Sequence, residues 1–257
     1  MDIRNQAVMN AEKARIAAVI ARHDKIVLQL SGGKDSLACL ELLRDHWDKI
    51  TVIWANAGDP FPETIEQMAR IRARVPHFQE VRSDQPVQIE SMGWPVDLIP
   101  VRNTPYGRML QSHDEPIMQG WVLCCNSNVW QPMMKAVFDL GATLVIRGMK
   151  RIDGRKGPEK PGQVAHGIEF LLPVYEWSHD DVFDYLEREG VELPPHYAYV
   201  KTSLDCMLCT ACINENVGKM RYLRDRHPKH FGEVQRRLGM IADAVRSELA
   251  DLEAAIL

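Results

Sequence analysis

One short segment of the sequence combines the residue types that hold a phosphate group. Ser31–Ser36 reads SGGKDS and stands between an apolar, β-branched run, Lys25–Leu30, and a helix-like segment, Ser36–Asp45. A loop between a buried strand and a helix brings backbone N–H groups and the positive end of the helix dipole to one place. Gly32 and Gly33 let the backbone bend closely around an anion, because no Cβ stands in the way. The segment therefore predicts a phosphate-binding loop.

The side chains of this loop add hydrogen-bond donors and charge. The hydroxyls of Ser31 and Ser36 can donate hydrogen bonds, and the ammonium group of Lys34 brings a positive charge. Asp35 would repel phosphate, so we expect it to orient the loop or a metal ion. The spacing differs from the Gly-x-x-x-x-Gly-Lys-Ser/Thr loop and from the Gly-x-Gly-x-x-Gly dinucleotide fingerprint. A glycine turn without a ligand is the alternative, which the strand–loop–helix context disfavours.

Five of the six cysteines fall into two groups that are typical of metal ligation. Cys124 and Cys125 are adjacent, and Cys206, Cys209 and Cys212 follow in a Cys-x-x-Cys-x-x-Cys arrangement. Four thiolates from two distant segments can close a shell around a metal ion or a [4Fe–4S] cluster. An adjacent pair is unusual for zinc, whose sites favour Cys-x₂₋₄-Cys knuckles. A cluster, a zinc ion and no metal are all open interpretations of the spacing.

Basic residues gather after a predicted strand, where parallel sheets bind their ligands. Among Arg147, Lys150 and Arg151, we expect Arg151 to make a bidentate contact with phosphate or sulfate. Arg155 and Lys156 are interpreted as a solvated loop. Further basic residues along the tail are interpreted as a solvated helix face or, alternatively, as a contact for nucleic acid. They are Arg221, Arg224, Arg226, Lys229, Arg236 and Arg237.

Alternating strands and helices are predicted to position these residues. The predicted strands are Lys25–Leu30, Thr51–Ala55, a weaker strand from Val81, Thr143–Arg147 and Glu169–Pro173. The predicted helices are residues 3–22, Ser36–Asp45, Pro62–Val75, Asn126–Leu140 and Ser178–Glu189, the last with Ser178 as N-cap. Residues 85–120 are expected to be irregular or lid-like with short helices, and residues 153–167 to be a loop. This alternation predicts an α/β fold with a doubly wound parallel sheet.

The tail is predicted to be helical. Asn216–Arg226 should form a helix that Pro228 ends, and apolar residues recur at helical spacing after Phe231. The helix either lies on the domain or forms a homodimer, because the stripe lasts about four heptads. The stripe consists of Val234, Leu238, Ile241, Val245, Leu249, Leu252 and Ile256.

Composition limits the classes of protein to which the chain can belong. It has 257 residues and a net charge of −4, so charge alone implies no nucleic acid partner. No apolar run approaches the length of a membrane span, and the first residues lack a signal-peptide core. We therefore expect a cytoplasmic protein without membrane contact, whose cysteines are thiols or metal ligands.

These motifs, in this order, resemble the PP-loop ATP pyrophosphatases, the adenine nucleotide alpha hydrolase-like superfamily. Within it, they are similar to the branch of phosphoadenosine and adenosine phosphosulfate reductases. The resemblance runs from about Lys25 to Thr210 and departs from the branch at Asn56 and Ala57, which replace Asp-Thr, and at Lys150, which replaces an arginine. The matching segments are SGGKDS, NAGDPFPET (Asn56–Thr64), RGMKRID (Arg147–Asp153), Pro173…Trp177…Asp181…Tyr185 and SLDCMLCT (Ser203–Thr210).

The resemblance implies a Rossmann-like domain over residues 1–210, a helical tail over residues 211–257, and an adenine nucleotide as ligand, either ATP or an adenylyl-sulfate. It also implies that Lys34, Asp35 and Arg151 are catalytic. The implied nucleotide-binding residues are Ser31, Gly32, Gly33, Lys34, Asp35, Ser36, Asn56, Gly58 and Gly148. The implied ligands of a [4Fe–4S] cluster are Cys124, Cys125, Cys206 and Cys209.

The family's reductases use a nucleophilic cysteine in a Glu-Cys-Gly-x-His motif, whereas residues 213–257 contain no cysteine. We therefore expect an ATP pyrophosphatase that adenylylates an acceptor at the α-phosphate with Mg²⁺ and supports sulfur transfer. The sulfur donor would be a cysteine desulfurase or a thiol. A phosphosulfate reductase that uses Cys212 and a thiol reductant is the first alternative. A non-catalytic subunit that binds nucleotide and cluster is the second.

Overall fold

A computed structural model of the chain describes residues 6–111, 116–154, 157–204, 206–214 and 217–256. Internal contacts divide the chain into two units. The sheet unit comprises Met1–Ala55, Pro62–Val81 and Pro132–Pro195. The cysteine unit comprises Asn56–Phe61, Arg82–Gln131 and His196–Leu257 and carries every cysteine except Cys39. The predicted division at residue 210 stays a prediction.

The elements follow one another largely as the sequence predicts. The helices are α1 (Gln6–Ile20), α2 (Lys34–Leu42), α3 (Pro62–Arg72), α4 (Gln85–Met92), α5 (Pro105–Gln111), α6 (Trp121–Cys125), α7 (Gln131–Asp139), α8 (His179–Arg188), α9 (Val217–Arg226) and α10 (Pro228–Ile256). The strands are β1 (Ile26–Gln29), β2 (Ile50–Asn56), β3 (Phe78–Arg82), β4 (Trp94–Val96), β5 (Met118–Gly120), β6 (Leu144–Arg147), β7 (Val164–Ala165) and β8 (Ile168–Leu171).

The sheet unit is built on the strand order β3-β2-β1-β6-β8-β7. Strand β1 pairs in parallel with β2 and β6, so that Gln29 lies opposite both Ile53 and Arg147. Strand β8 is parallel to β6, and the short edge strand β7 runs antiparallel to β8. The loop after β1 therefore leaves the sheet at the carboxyl ends of parallel strands, where ligands of such sheets bind.

Helices cover both faces of this sheet. Leu28 and Ile146 pack into a core with residues of α1, α2, α3 and α8, whereas their neighbours Val27 and Val145 pack with residues of α7. Successive residues of a strand point to opposite faces, so strands buried on both sides read as continuous apolar runs. The predicted α/β fold with a doubly wound parallel sheet and helical tail is confirmed.

Several element bounds differ from their predictions. Helix α2 ends at Leu42, and a 3₁₀ segment, Arg44–Lys49, follows it. The helical stretch predicted from Asn126 begins at Trp121 as α6, passes through a π turn, Asn126–Trp130, and continues as α7. Within the segment predicted as irregular, β4 and β5 pair in parallel. Their three residues each are too few to show a period-2 pattern.

The tail differs from its prediction in one respect. Helix α9 ends at Arg226, as expected before a proline, but Pro228 also opens α10. Proline suits the first turn of a helix because the N–H that it lacks would have no intrahelical acceptor there. Among the helices of the described segments, none is long and apolar enough to cross a membrane.

Candidate functional site

The segment Ser31–Ser36 leads from β1 into α2, which begins at Lys34, two residues earlier than predicted. Gly33 is the N-cap in an extended conformation, and as a glycine it has no side chain that could cap the helix. The first helical bond runs from the Leu37 N–H to the Gly33 carbonyl at 3.0 Å. The N–H groups of the preceding helix residues have no acceptor within the helix, which makes this end suited to an anion.

Hydrogen bonds within the loop fix its shape. The Ser36 hydroxyl donates to the Gly33 carbonyl at 2.9 Å, and the Gly33 N–H donates to Ser31 Oγ at 3.3 Å. The two serine Oγ atoms lie 3.2 Å apart. To donate to phosphate as predicted, the Ser36 hydroxyl would therefore have to rotate and give up its hydrogen bond to the Gly33 carbonyl.

Two glycines allow the backbone to come close at this loop. Gly32 has φ +85°, and a Cβ there would lie 2.7 Å from Met68 Cε and 3.0 Å from Gln67 Oε1. At Gly148, after β6, a Cβ would collide with the backbone of Asp35 and Ser36. The structure thus brings the predicted residue Gly148 directly against the start of α2.

Two buried lysines share the carboxylate of Asp35. Lys34 Nζ lies 2.9 Å from both oxygens of Asp35, and Lys150 Nζ lies 2.7 Å from Asp35 Oδ1. Lys150 also lies 2.9 Å from Asp153 Oδ1, and both lysine side chains are essentially inaccessible. Asp35 therefore orients the loop by bridging two cations.

The two lysines titrate differently. Burial lowers the pKa of Lys34 to about 8, and the positive charge of Lys150 adds to this effect while Asp35 opposes it. Burial also acts to lower the pKa of Lys150, but its ion pairs with Asp35 and Asp153 outweigh burial and raise the pKa. Lys34 is thus the group at the loop whose charge changes just above neutral pH.

Three residues at this loop were not predicted as site residues. Lys150 was predicted only as a member of a basic cluster, and Asp153 and His179 were assigned no role. Burial, followed by the charges of Lys34 and Lys150, lowers the pKa of His179. The signal available in the sequence was Lys150 itself, which stands where the family usually has an arginine.

The basic cluster is only partly assembled at the loop. Arg147 forms an ion pair with Glu159 at 2.8 Å, and both side chains are mostly buried. Arg151, which we predicted to be catalytic, is 62% exposed and pairs with Glu176 at 3.0 Å. Arg155 and Lys156, predicted to be a solvated loop, lie outside the described residues.

Two predicted nucleotide-binding residues belong to the cysteine unit. Asn56 Oδ1 accepts a hydrogen bond from the Gly58 N–H at 3.0 Å. Gly58 has φ +96°, and a Cβ there would lie 3.2 Å from the Ser83 carbonyl oxygen. This turn requires glycine, and the roles of Asn56 and Gly58 in nucleotide binding stay predictions.

The Cys-x-x-Cys-x-x-Cys segment forms a compact turn. Cys209 and Cys212 are buried together, and Cys206 packs against them. Lys219 Nζ, from α9, donates to the carbonyls of Cys206 at 2.8 Å and Cys209 at 2.9 Å. A buried ammonium group thus ties the turn to the helix that follows it.

Cys212 has an unusual backbone and an acidic neighbour. Its φ is +56°, which is rare outside glycine. Its N–H donates to Asp97 Oδ2 at 2.9 Å, and its thiol donates to Asp97 Oδ1 at 3.6 Å. A carboxylate beside a thiol disfavours the thiolate.

The adjacent pair lies on α6. Cys124 is buried, and Gln85 Nε2 donates to its sulfur at 3.2 Å. Burial raises the pKa of Cys124, against the effect of hydrogen bonds from Gln85 and Asn128. The π turn begins directly after Cys125, and single π turns are frequent at functional sites.

No three His, Cys, Asp or Glu side chains in the described segments are grouped so that they could hold a metal ion. The cysteines and the amide donor to Cys124 have the chemistry of an iron–sulfur site, but their arrangement does not fit a bound ion. The ligand set Cys124, Cys125, Cys206 and Cys209, for a cluster or for zinc, stays a prediction. No chemical step below passes through it.

Comparison with known proteins identifies the relatives of the chain. The phosphoadenosine 5'-phosphosulfate reductase of Yersinia enterocolitica is 27% identical over 173 residues, which cover 66% of this chain and 64% of that relative. The adenosine 5'-phosphosulfate reductase of Burkholderia cepacia is 23% identical over 203 residues, 78% of this chain and 75% of that one. A crystal structure of phosphoadenylyl-sulfate reductase from Candida auris, a phosphate complex, has 15% identity and a TM-score of 0.49 and covers 74% of this chain and 89% of that chain. The match to the Yersinia relative spans less than two thirds of its length.

These relatives favour the reductase alternative over the predicted ATP pyrophosphatase, which they do not confirm. The family described as the phosphoadenosine phosphosulfate reductase domain matches residues 25–212, more than half of the chain. This segment contains the loop Ser31–Ser36 and all six cysteines. The chain belongs to the phosphoadenosine phosphosulfate reductase domain family.

Proposed function

We propose that this chain binds an adenosine phosphosulfate nucleotide through the loop Ser31–Ser36 and reduces its sulfate group to sulfite. The observation that carries the proposal is the start of α2 at a glycine N-cap, with further glycines at positions 32 and 148 where a Cβ would not fit. Such an end offers backbone N–H donors and a positive dipole to a phosphate group. Membership of the family supports an adenylyl-sulfate as the nucleotide.

Lys34, Lys150 and Asp35 would set the charge at this site. The two ammonium groups and the carboxylates of Asp35 and Asp153 balance, so the helix start supplies the remaining positive potential. An incoming phosphate adds negative charge beside Lys34 and favours its protonated form. Lys34 would then neutralise the phosphate, while Asp35 and Lys150 hold the Lys34 side chain in position.

The reaction needs a thiol that attacks the sulfate sulfur. An S–S bond then forms, the S–O bond to the nucleotide breaks, and the adenosine phosphate leaves with the electron pair. A second thiol, from a reductant, attacks the thiosulfonate, forms a disulfide and releases sulfite, so two thiols supply the two electrons. We assign the first thiol to Cys212, the last cysteine of the sequence.

ATP-dependent adenylylation is the second candidate, and one observation favours it. Cys212 is only 4% exposed and its thiol donates to Asp97, which opposes its activation as a nucleophile. Adenylylation needs no thiol nucleophile, because an acceptor oxygen attacks the α-phosphorus and pyrophosphate leaves. A Mg²⁺ ion would neutralise the charge of that leaving group. A nucleic acid as acceptor and a cysteine desulfurase as sulfur donor belong to this candidate.

Product analysis separates the two candidates. The full chain, purified without oxygen, is incubated with a dithiol and either an adenylyl-sulfate or ATP and Mg²⁺. We expect sulfite to form from the adenylyl-sulfate. Its formation should be lost in Cys212→Ser and in Lys34→Ala but kept in Lys49→Ala, a control at an exposed position. Pyrophosphate from ATP without sulfite would establish the second candidate instead. Tight nucleotide binding without either product would mean a non-catalytic subunit, and absence of binding would contradict both reactions.

A further inference from the structure

Helix α10 carries an apolar stripe that its own unit covers only in part. Near the start of the helix, Val234 is fully buried. At the other end, Leu249, Leu252 and Ile256 are 51%, 61% and 79% exposed. Three large aliphatic side chains in a row on one helix face, all exposed, mark a surface for another apolar partner.

The middle of the same stripe borders an apolar groove. The groove has a volume of about 380 Å³ and lies in the cysteine unit, along the part of α10 that precedes the exposed residues. Its volume is large enough for aliphatic side chains from a second helix. It is lined on the α10 side by Leu238, Ile241, Ala242 and Val245, and on the other side by Val96, Leu98 and Ile213.

The spacing of the stripe is symmetric about Val245. Leu238 lies seven residues before Val245 and Leu252 lies seven residues after it, while Ile241 and Leu249 lie four residues before and after. Two copies of α10 that run antiparallel would therefore place Leu238 opposite Leu252 of the second copy. Ile241 would lie opposite Leu249, and Val245 opposite itself. A two-fold interface needs such a self-complementary surface.

The charges of α10 favour the same antiparallel arrangement. In residues 228–242, basic residues outnumber acidic ones by two, whereas in residues 243–256 acidic residues outnumber basic ones by three. Arg102 of the same chain pairs with Glu248 and Asp251, so the acidic excess of the second half falls from three to two. Antiparallel copies would still bring each basic half against the acidic half of the other. Parallel copies would bring like charges together, which costs free energy.

We propose that α10 is the interface between two copies of this chain, paired antiparallel with Val245 on the two-fold axis. The exposed end of each α10 fills the groove of the other copy with Leu249 and Leu252. The acidic charge of that end makes an anionic membrane surface or a nucleic acid an unsuitable occupant. The inference is independent of the nucleotide chemistry at α2.

The oligomeric state of the full chain is the first test. Light scattering should give twice the chain mass of 29.3 kDa. Leu252→Glu should halve the measured mass. Its circular dichroism spectrum should match that of the native chain, and it should still melt in one cooperative transition. Ser247→Glu, a charge added to an exposed position off the stripe, should leave the dimer unchanged. A monomeric native chain at every soluble concentration would overturn the proposal, whatever else binds the groove.

Cross-linking tests the direction and register of the helices. Under mild oxidation, Val245→Cys alone should give a covalent dimer that the unmodified chain and Ser247→Cys do not give. Leu238→Cys and Leu252→Cys should cross-link to each other when the two variants are mixed, but neither should cross-link alone. Cross-linking of Leu238→Cys and of Leu252→Cys each alone would mean parallel helices and would overturn the antiparallel arrangement. A dimer in which none of these pairs cross-links would place the interface elsewhere.

Discussion

Lys34 is a buried lysine at the place where we propose that phosphate binds. Its side chain is inaccessible, and burial gives it a pKa of about 8, well below that of an exposed lysine. Lys34 remains mostly protonated at neutral pH because Asp35 lies within 2.9 Å. A small rise in pH therefore removes a positive charge from the place where we expect phosphate to bind.

Nucleotide affinity should fall as the pH rises through about 8. The neutral lysine attracts phosphate less than the ammonium form, so binding must take up a proton above the pKa of the free protein. The dissociation constant should increase by up to about tenfold per pH unit above that point. Titration calorimetry between neutral and alkaline pH measures this dependence. Lys34→Arg should flatten the profile, since arginine stays charged, and a native profile as flat as that of Lys34→Arg would contradict the assignment.

Gly148 is a second residue whose identity the geometry requires. In Gly148→Ala, the new methyl group meets the backbone of Asp35 and Ser36, so the start of α2 must shift. Such overpacking costs about 1–3 kcal/mol, and we expect nucleotide binding to weaken by about tenfold or more. Gly154→Ala is the matched control because nothing lies within 4 Å of its new Cβ. Equal nucleotide affinity in both variants, measured by calorimetry, would refute the close approach at Gly148.

At the scale of elements, α9 stabilises the cysteine turn. Lys219 is 1% exposed and donates to the carbonyls of Cys206 and Cys209. In Lys219→Met, both carbonyls lose a charged donor, and a hydrogen bond to a charged group contributes about 1.5–3 kcal/mol. The Cys206 carbonyl keeps the hydrogen bond from the Cys209 N–H at 3.1 Å. The turn should open more often, so Cys206 and Cys209 should react several-fold faster with an alkylating agent.

Mass spectrometry of the metal-free protein measures these alkylation rates. Lys229→Met, at an exposed position of α10, is the control and should leave the rates unchanged. Alkylation rates in Lys219→Met that match those of the native protein would mean that the turn is stable without the hydrogen bonds of Lys219. Slower alkylation would contradict the prediction as well.

The elements that the sequence predicted best are those that burial defines. Strands β1 and β6 are covered on both faces, so their apolar runs mark them within one or two residues. Strands β4 and β5 have three residues each, one of them Pro95, and carry no periodic signal. The start of α6 at Trp121 was missed because a short helix that continues through a π turn has no single 3.6-residue pattern.

At the scale of the whole molecule, local pattern predicted the loop but not its electrostatic partners. SGGKDS is contiguous, so the glycines and the start of α2 could be recognised together. The pairing of Lys150 with Asp35 joins residues far apart in sequence, because β6 lies beside β1 in the sheet. The same limit applies to the cysteines, whose spacing indicates ligation although the described residues do not assemble a metal site.

The functional account depends on the claim that the start of α2 binds the phosphate of the nucleotide. Hydrogen–deuterium exchange, with and without an adenylyl-sulfate, measures it directly at the backbone N–H groups of residues 34–36. The account predicts that nucleotide slows exchange at these groups in the native chain, and that it does so much less in Gly148→Ala. Nucleotide binding that leaves exchange at residues 34–36 unchanged would contradict it.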